Sequence, residues 1–218
     1  MSHLEIELQL LKQDILEMMS LVIKQLHKGK EAILKFDLDL AKEIIVTENR
    51  VNATELKIDR DSENIFALFN PVAVDLRFVL AALKINSNLE RNGDNAEGIA
   101  RYLLDLDTPF GDEMLKAFQL EEMYNTAISM MEDAREALDK EDTRLARRLF
   151  QKDDFLDKIN RQASKTTLHL IKSNPEKHLH CLNLLSIIRK LERIGDQSKN
   201  IAEEIIFYIE AKVLKHKT

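Results

Sequence analysis

Glu90 and Asp94 stand four residues apart, and so do Glu192 and Asp196. At that spacing on an α-helix both carboxylates leave one face, a turn apart, and like charges so placed repel by roughly 0.2–0.5 kcal/mol. Each pair belongs to the same unit, Leu-Glu-Arg-x-Gly-Asp, which begins at Leu89 and again at Leu191, 102 residues later. The glycine in each unit, Gly93 or Gly195, costs a helix interior about 1 kcal/mol against alanine. A hard cation turns the repulsion into binding energy. More oxygen is at hand on the preceding helix: Asp153 and Asp157 in the second half, Glu48 and Asn52 at the matching places in the first. With no cysteine and no matching histidine among them, these donors suit magnesium, calcium, manganese or iron and not structural zinc. The glycines remove bulk beside the acidic pair, so that another helix or a hydrated ion can approach. Taken once, such a pair beside Arg91 or Arg193 is an ordinary solvated helix face; its recurrence is what points to ligation.

The elements that must carry these residues are helical. The prolines sit at helix starts, with Asn70-Pro71 and Asn174-Pro175 as cap and first turn, and Thr108 or Asp112 as the cap beside Pro109. Asp37 and either Asp142 or Thr143 cap two further helices. Six helices of roughly 30–40 residues are expected. The apolar stripe Ile85, Leu89, Ile99, Leu103 on the third returns as Ile187, Leu191, Ile201, Ile205 on the sixth. No alternating β-branched run bounded by turns occurs. The fold class is therefore all-α: two tandem three-helix bundles related by internal duplication, residues 1–107 and 112–218, with the joint near Asp107 to Asp112.

Composition bounds the function. The 218 residues include 32 basic and 38 acidic side chains, a net charge of −6, which argues against nucleic acid as a partner. Cys181 is the only cysteine, so no internal disulfide forms and a reducing compartment is expected. The start lacks a basic region followed by an apolar run, and the longest apolar run, Phe78 to Leu83, is far below the ~20 residues of a membrane span. A cytoplasmic protein is expected, meeting a membrane only through partners.

The stretches LERNGDNAEGIA and LERIGDQSKNIAEEI, with NPVAVDLR upstream of the first, resemble the PhoU family associated with bacterial phosphate-specific transport. The resemblance spans the whole chain. It implies a six-helix duplicated fold and metal bound on the bundle surfaces through Glu90, Asp94, Glu192 and Asp196. Glu48, Asn52, Asp153 and Asp157 would complete the sites, and Asn200 is a possible further ligand. Iron, manganese or magnesium is the implied cofactor. The family pattern is broken at Asn52, where an aspartate is usual, at Gly98, which replaces the asparagine present as Asn200, and at Asn92 in place of an apolar residue. On those departures the second site, around Asp157, Glu192 and Asp196, is expected to hold metal more tightly. The resemblance also implies a regulator of phosphate uptake and a repressor of the phosphate-starvation response. It would act on the transporter ATPase PstB and the sensor histidine kinase PhoR, as a homodimer and without enzymatic activity.

Rival readings find less support. A ferritin-like di-iron enzyme wants Glu-x-x-His, and none occurs. No Gly-rich phosphate loop or Gly-x-Ser-x-Gly is present for a phosphohydrolase. A metal-free helical scaffold would run its heptads unbroken, yet Gly93 and Gly195 interrupt the two best helices. His178 and His180 point away from each other on a helix, His169 is expected to pack, and Cys181 and Met18, Met19, Met123, Met130 and Met131 read as core.

Overall fold

The computed structural model describes residues 2–214. Among them seven α-helices and one 3-10 turn account for the regular structure, with no strand. The helices are α1 (His3–Lys35), α2 (Leu38–Phe69), α3 (Ala73–Leu104), α4 (Asp112–Ala117), α5 (Leu120–Lys140), α6 (Thr143–Ser173) and α7 (His178–Glu210). In the first repeat α1, α2 and α3 pack together; in the second α5, α6 and α7 do so. The repeats meet through α3 against α7 and α1 against α5, while α2 and α6 pack on the outer sides of their own repeats. Cross-helix pairs show α3 and α7 to be antiparallel: Lys84 reaches Glu204 at 3.0 Å and Asn183 donates to the Tyr102 carbonyl at 3.2 Å.

Side-chain hydrogen bonds cap the starts of α1, α2 and α6. Ser2 and Glu5 cap α1 reciprocally, the Ser2 N–H donating to Glu5 Oε2 at 2.7 Å and the Glu5 N–H to Ser2 Oγ at 3.2 Å. Asp37 accepts from the backbone of Asp39 and Leu40, and Asp142 from Arg144, as their positions suggest. Asn70 behaves differently. It closes α2 in the left-handed region, with φ of 47°, which asparagine tolerates well, and α3 begins after Pro71 with Val72 as an N-cap that makes no side-chain bond. Pro175 opens the 3-10 turn Pro175–Lys177 ahead of α7, and Gly111, not Thr108 or Asp112, precedes α4.

The fourth long helix is broken. The chain kinks at Gln119, φ 48°, so that Phe118 and Leu120 on either side both enter the core, leaving a 6-residue α4 and a 21-residue α5. Burial of two large apolar side chains, about 1.5–3 kcal/mol each, outweighs one residue in a left-handed conformation. Elsewhere the expected stripes hold. Ile85, Leu89, Ile99 and Leu103 are buried, as are Ile187, Leu191, Ile201 and Ile205, the five methionines named above, and Cys181. His169 is exposed on α6.

Candidate metal centre

In the first repeat the glycine of the motif makes room for a carboxylate. A Cβ on Gly93 would stand 2.5 Å from Glu48 Oε2 and 3.0 Å from Oε1, so Glu48 of α2 lies in the notch that Gly93 leaves on α3. The Glu48 residue is only 3% exposed. Gln25 of α1 donates to Oε2 at 2.9 Å, while Oε1 has no hydrogen-bond partner. Burial, with the further push of Asp94, Glu97 and Glu90, raises this carboxyl to about 7 despite the Gln25 hydrogen bond. Glu90 is raised as well, first by burial and then by Asp94, with which it lies in hydrogen-bonding reach; Glu55 is raised by burial and by Asp59 and Asp94. The α2–α3 face thus concentrates Glu48, Glu55, Glu90, Asp94 and Glu97 around a buried oxygen that lacks a donor.

In the second repeat the same framework holds different occupants. The Gly195 notch on α7 takes Leu156, whose Cδ1 lies directly against it, with Asp153 Oδ1 3.2 Å from the place of a Cβ. Asp153 is 4% exposed, and its other carboxylate oxygen accepts from Lys199, which also donates to Asp196 Oδ1 at 3.0 Å. Burial pushes Asp153 up against the opposing pull of Lys199. Burial also pulls down on the Lys199 ammonium, but its hydrogen bonds to Asp153 and Asp196 outweigh this and raise it. Glu192 is raised by burial and by Asp196, and moderated by its hydrogen bond with Asn160; Asp157 adds to the same field.

The fold therefore places Glu48, Glu90 and Asp94 in one acidic neighbourhood and Asp153, Asp157, Glu192 and Asp196 in another. Asn52 is exposed on α2, and Asn200 turns across the α3–α7 pair to Asn88 Oδ1 at 3.4 Å, away from the α6–α7 cluster. Among the described residues no three His, Cys, Asp or Glu side chains stand gathered as a metal site. The donor chemistry nevertheless fits a hard cation in the first cluster, where every charged donor is an oxygen and Glu48 Oε1 is orphaned inside. Sequence reasoning missed four participants: Gln25, Glu55, Glu97 and Lys199. Spacing held the signal for two, since Glu55 and Glu97 fall seven residues after Glu48 and Glu90, on the same helical faces. Asp94 and Glu97 also line one side of an open groove of about 610 Å³ between α3 and α7, with Arg91, Lys190 and Arg193 around it.

A family model described as the PhoU domain matches this chain twice, over residues 15–103 and 120–205. The chain belongs to the PhoU family. Among curated relatives, PhoU homolog 1 of Thermotoga maritima is 31% identical over 214 residues, 98% of this chain and 91% of that one. The PhoU homolog of Aquifex aeolicus is 32% identical, covering 96% of this chain and 94% of its own. Both carry the description phosphate-specific transport system accessory protein. The crystal structure of PhoU from Pseudomonas aeruginosa superposes with a TM-score of 0.88 at 28% identity, covering 95% of this chain and 99% of that one. The two PhoU matches correspond to the two bundles, and the joint between them contains α4 and the kink at Gln119.

Proposed function

We propose that this chain is an accessory regulator of phosphate-specific transport that lowers uptake and holds the starvation response off when phosphate is plentiful. What carries the reading is the match of both repeats to the PhoU domain over nearly the whole chain, with relatives described as accessory proteins of that transport system. Its partners are the transporter ATPase, PstB, and the sensor kinase, PhoR, met on the cytoplasmic face. No helix among the described residues is long and apolar enough to cross a membrane. The chain works by docking and not by turnover, as a homodimer.

In this reading the carboxylates of the α2–α3 face hold iron, manganese or magnesium, and Glu48 supplies the innermost oxygen from the Gly93 notch. A bound hard cation supplies positive charge that offsets the crowded carboxylates and offers a bridging point for an anionic partner group. Gln25 orients Glu48, and Glu55, Glu90, Asp94 and Glu97 bring the remaining charge. The second reading, a metal-free helical adaptor, is favoured by one observation: among the described residues no three ligating side chains are gathered. Affinity capture of the tagged chain from cells grown in abundant phosphate tests the transport role. Retention of the transporter ATPase supports it, and an ATPase that stays entirely in the flow-through, with the tagged chain folded, overturns it. Melting the purified chain with and without manganese separates the metal-bound reading, which requires a rise, from the adaptor.

A further inference from the structure

We propose that Lys199 is the resident cation of the second acidic cluster, so that the two repeats are functionally unequal and only the first takes up a multivalent metal ion. The proposal rests on the metal reading above and reverses the ranking that Asn52 and Gly98 suggest. Lys199 and Glu97 occupy equivalent positions, 102 residues apart in the duplicated motif, so the two repeats carry opposite charges at the place that faces their carboxylates. In the second repeat the Lys199 ammonium bridges Asp153 of α6 and Asp196 of α7, the two helices whose side chains a metal would have to join. A metal entering there must displace an ammonium that already satisfies one oxygen of each. It also finds the glycine notch filled by Leu156, an apolar side chain that offers no lone pair.

In the first repeat the notch holds a carboxylate, and Glu97 adds to the negative field at Glu48. Glu97 itself is met by Arg101 at 2.6 Å, one turn along the same helix. Among the described residues no lysine or arginine is within ion-pair distance of Glu48, Glu90 or Asp94, and Arg91, next to Glu90 in the chain, opposes the rise of Glu90 without pairing with it. The orphaned Glu48 Oε1 is thus the buried oxygen that an added cation would satisfy. In the second repeat Asp153 keeps an orphaned oxygen too, but its partner oxygen is already committed to Lys199. Duplication has left one cluster balanced by the chain's own Lys199 and the other dependent on an ion from solution.

The test is manganese retention by the full chain after chelator stripping and equilibrium dialysis, read by elemental analysis, with folding checked by circular dichroism. Asp94→Asn should weaken retention roughly 10–100-fold, whereas Asp196→Asn should leave it within about twofold of the parent. Lys199→Gln should gain manganese beyond the parent, and that gain should vanish when Asp196→Asn is added. Glu97→Lys, which installs the missing ammonium in the first repeat, should remove the parent's manganese. Equal loss from Asp94→Asn and Asp196→Asn, or a folded Lys199→Gln with no added manganese, overturns the proposal. Melting gives a second readout: metal-free Lys199→Gln should melt below the parent and recover with manganese, and a lower midpoint without recovery marks a merely structural lysine and also overturns it. Should Lys199→Gln fail to fold, unchanged manganese in Glu97→Lys overturns it alone. Should the parent and every variant stay free of manganese, the metal reading itself falls, and this proposal falls with it.

Discussion

Glu48 and Asp153 hold equivalent places in the two repeats, each buried beside a motif glycine, yet one faces a field of carboxylates and the other a lysine. The backbone treats them alike: antiparallel helices, a notch on α3 or α7, an acidic residue entering from α2 or α6. What differs is the side chain that fills the notch, Glu48 against Leu156, and the charge one turn beyond the motif, Glu97 against Lys199. A repeated motif therefore shows a shared framework and not a shared occupant. Electrostatic balance is set by neighbours that the motif does not include, because a buried carboxylate costs free energy unless some cation meets it.

The comparison breaks most visibly at Lys199. Lys199→Gln leaves Asp153 without its cation, and urea unfolding of the metal-free protein should show a loss of about 2–3 kcal/mol. That is below the figure for a fully buried pair because 28% of the lysine side chain remains exposed. A loss under about 0.5 kcal/mol, the size of an exposed surface pair, would remove the contrast between the clusters.

The first cluster should reveal itself through pH. Glu48 is raised from its ordinary 4.5 to about 7 in the folded chain, so between those values the folded state keeps a proton that the unfolded chain has released. Stability of the metal-free protein should therefore fall as pH rises through that window and level off above it, by an amount on the order of 3 kcal/mol at most. The raised Glu55 and Glu90 act in the same direction. Denaturation midpoints at pH 5 and pH 8 measure the slope, and Glu48→Gln should flatten most of it; an unchanged slope in that variant would place the strain elsewhere.

Smaller effects sharpen the picture. Glu97→Lys should stabilise the metal-free chain by about 1 kcal/mol, since it sets a partly buried ammonium among carboxylates; thermal melting at low salt checks the sign. Alanine at the two notches should differ by about 1 kcal/mol, Gly195→Ala being the worse. There the new methyl meets fully buried Leu156, whereas at Gly93 it meets the end of the Glu48 side chain, which can swing toward the carboxylate face. Equal melting of the two variants would contradict that reading of the notches.

Much of the fold was legible because helix formers dominate and the apolar stripes repeat. Ile85 through Leu103 and Ile187 through Ile205 line the core as their spacing requires. The placement of each acidic pair on one face was legible for the same reason, whereas the motif glycines read only as room for another helix or an ion, and the notches take the Glu48 and Leu156 side chains instead. The break at Gln119 was not, because it follows from the wish of Phe118 and Leu120 to enter the core together, which is a tertiary demand. Asn70 was misread for a local reason: asparagine before proline caps a helix start, but asparagine also tolerates the left-handed turn that ends one. Lys199 was hidden in plain view. It stands three residues after Asp196, in the very stretch that defines the motif, yet only packing of α6 on α7 shows that it reaches Asp153.

The most direct measurement is manganese bound per chain for Glu48→Gln and Asp153→Asn, prepared identically from stripped protein. The parent should retain manganese, Glu48→Gln should lose it and Asp153→Asn should keep it. Retention by Glu48→Gln, or loss confined to Asp153→Asn, would contradict the assignment of the ion to the first repeat.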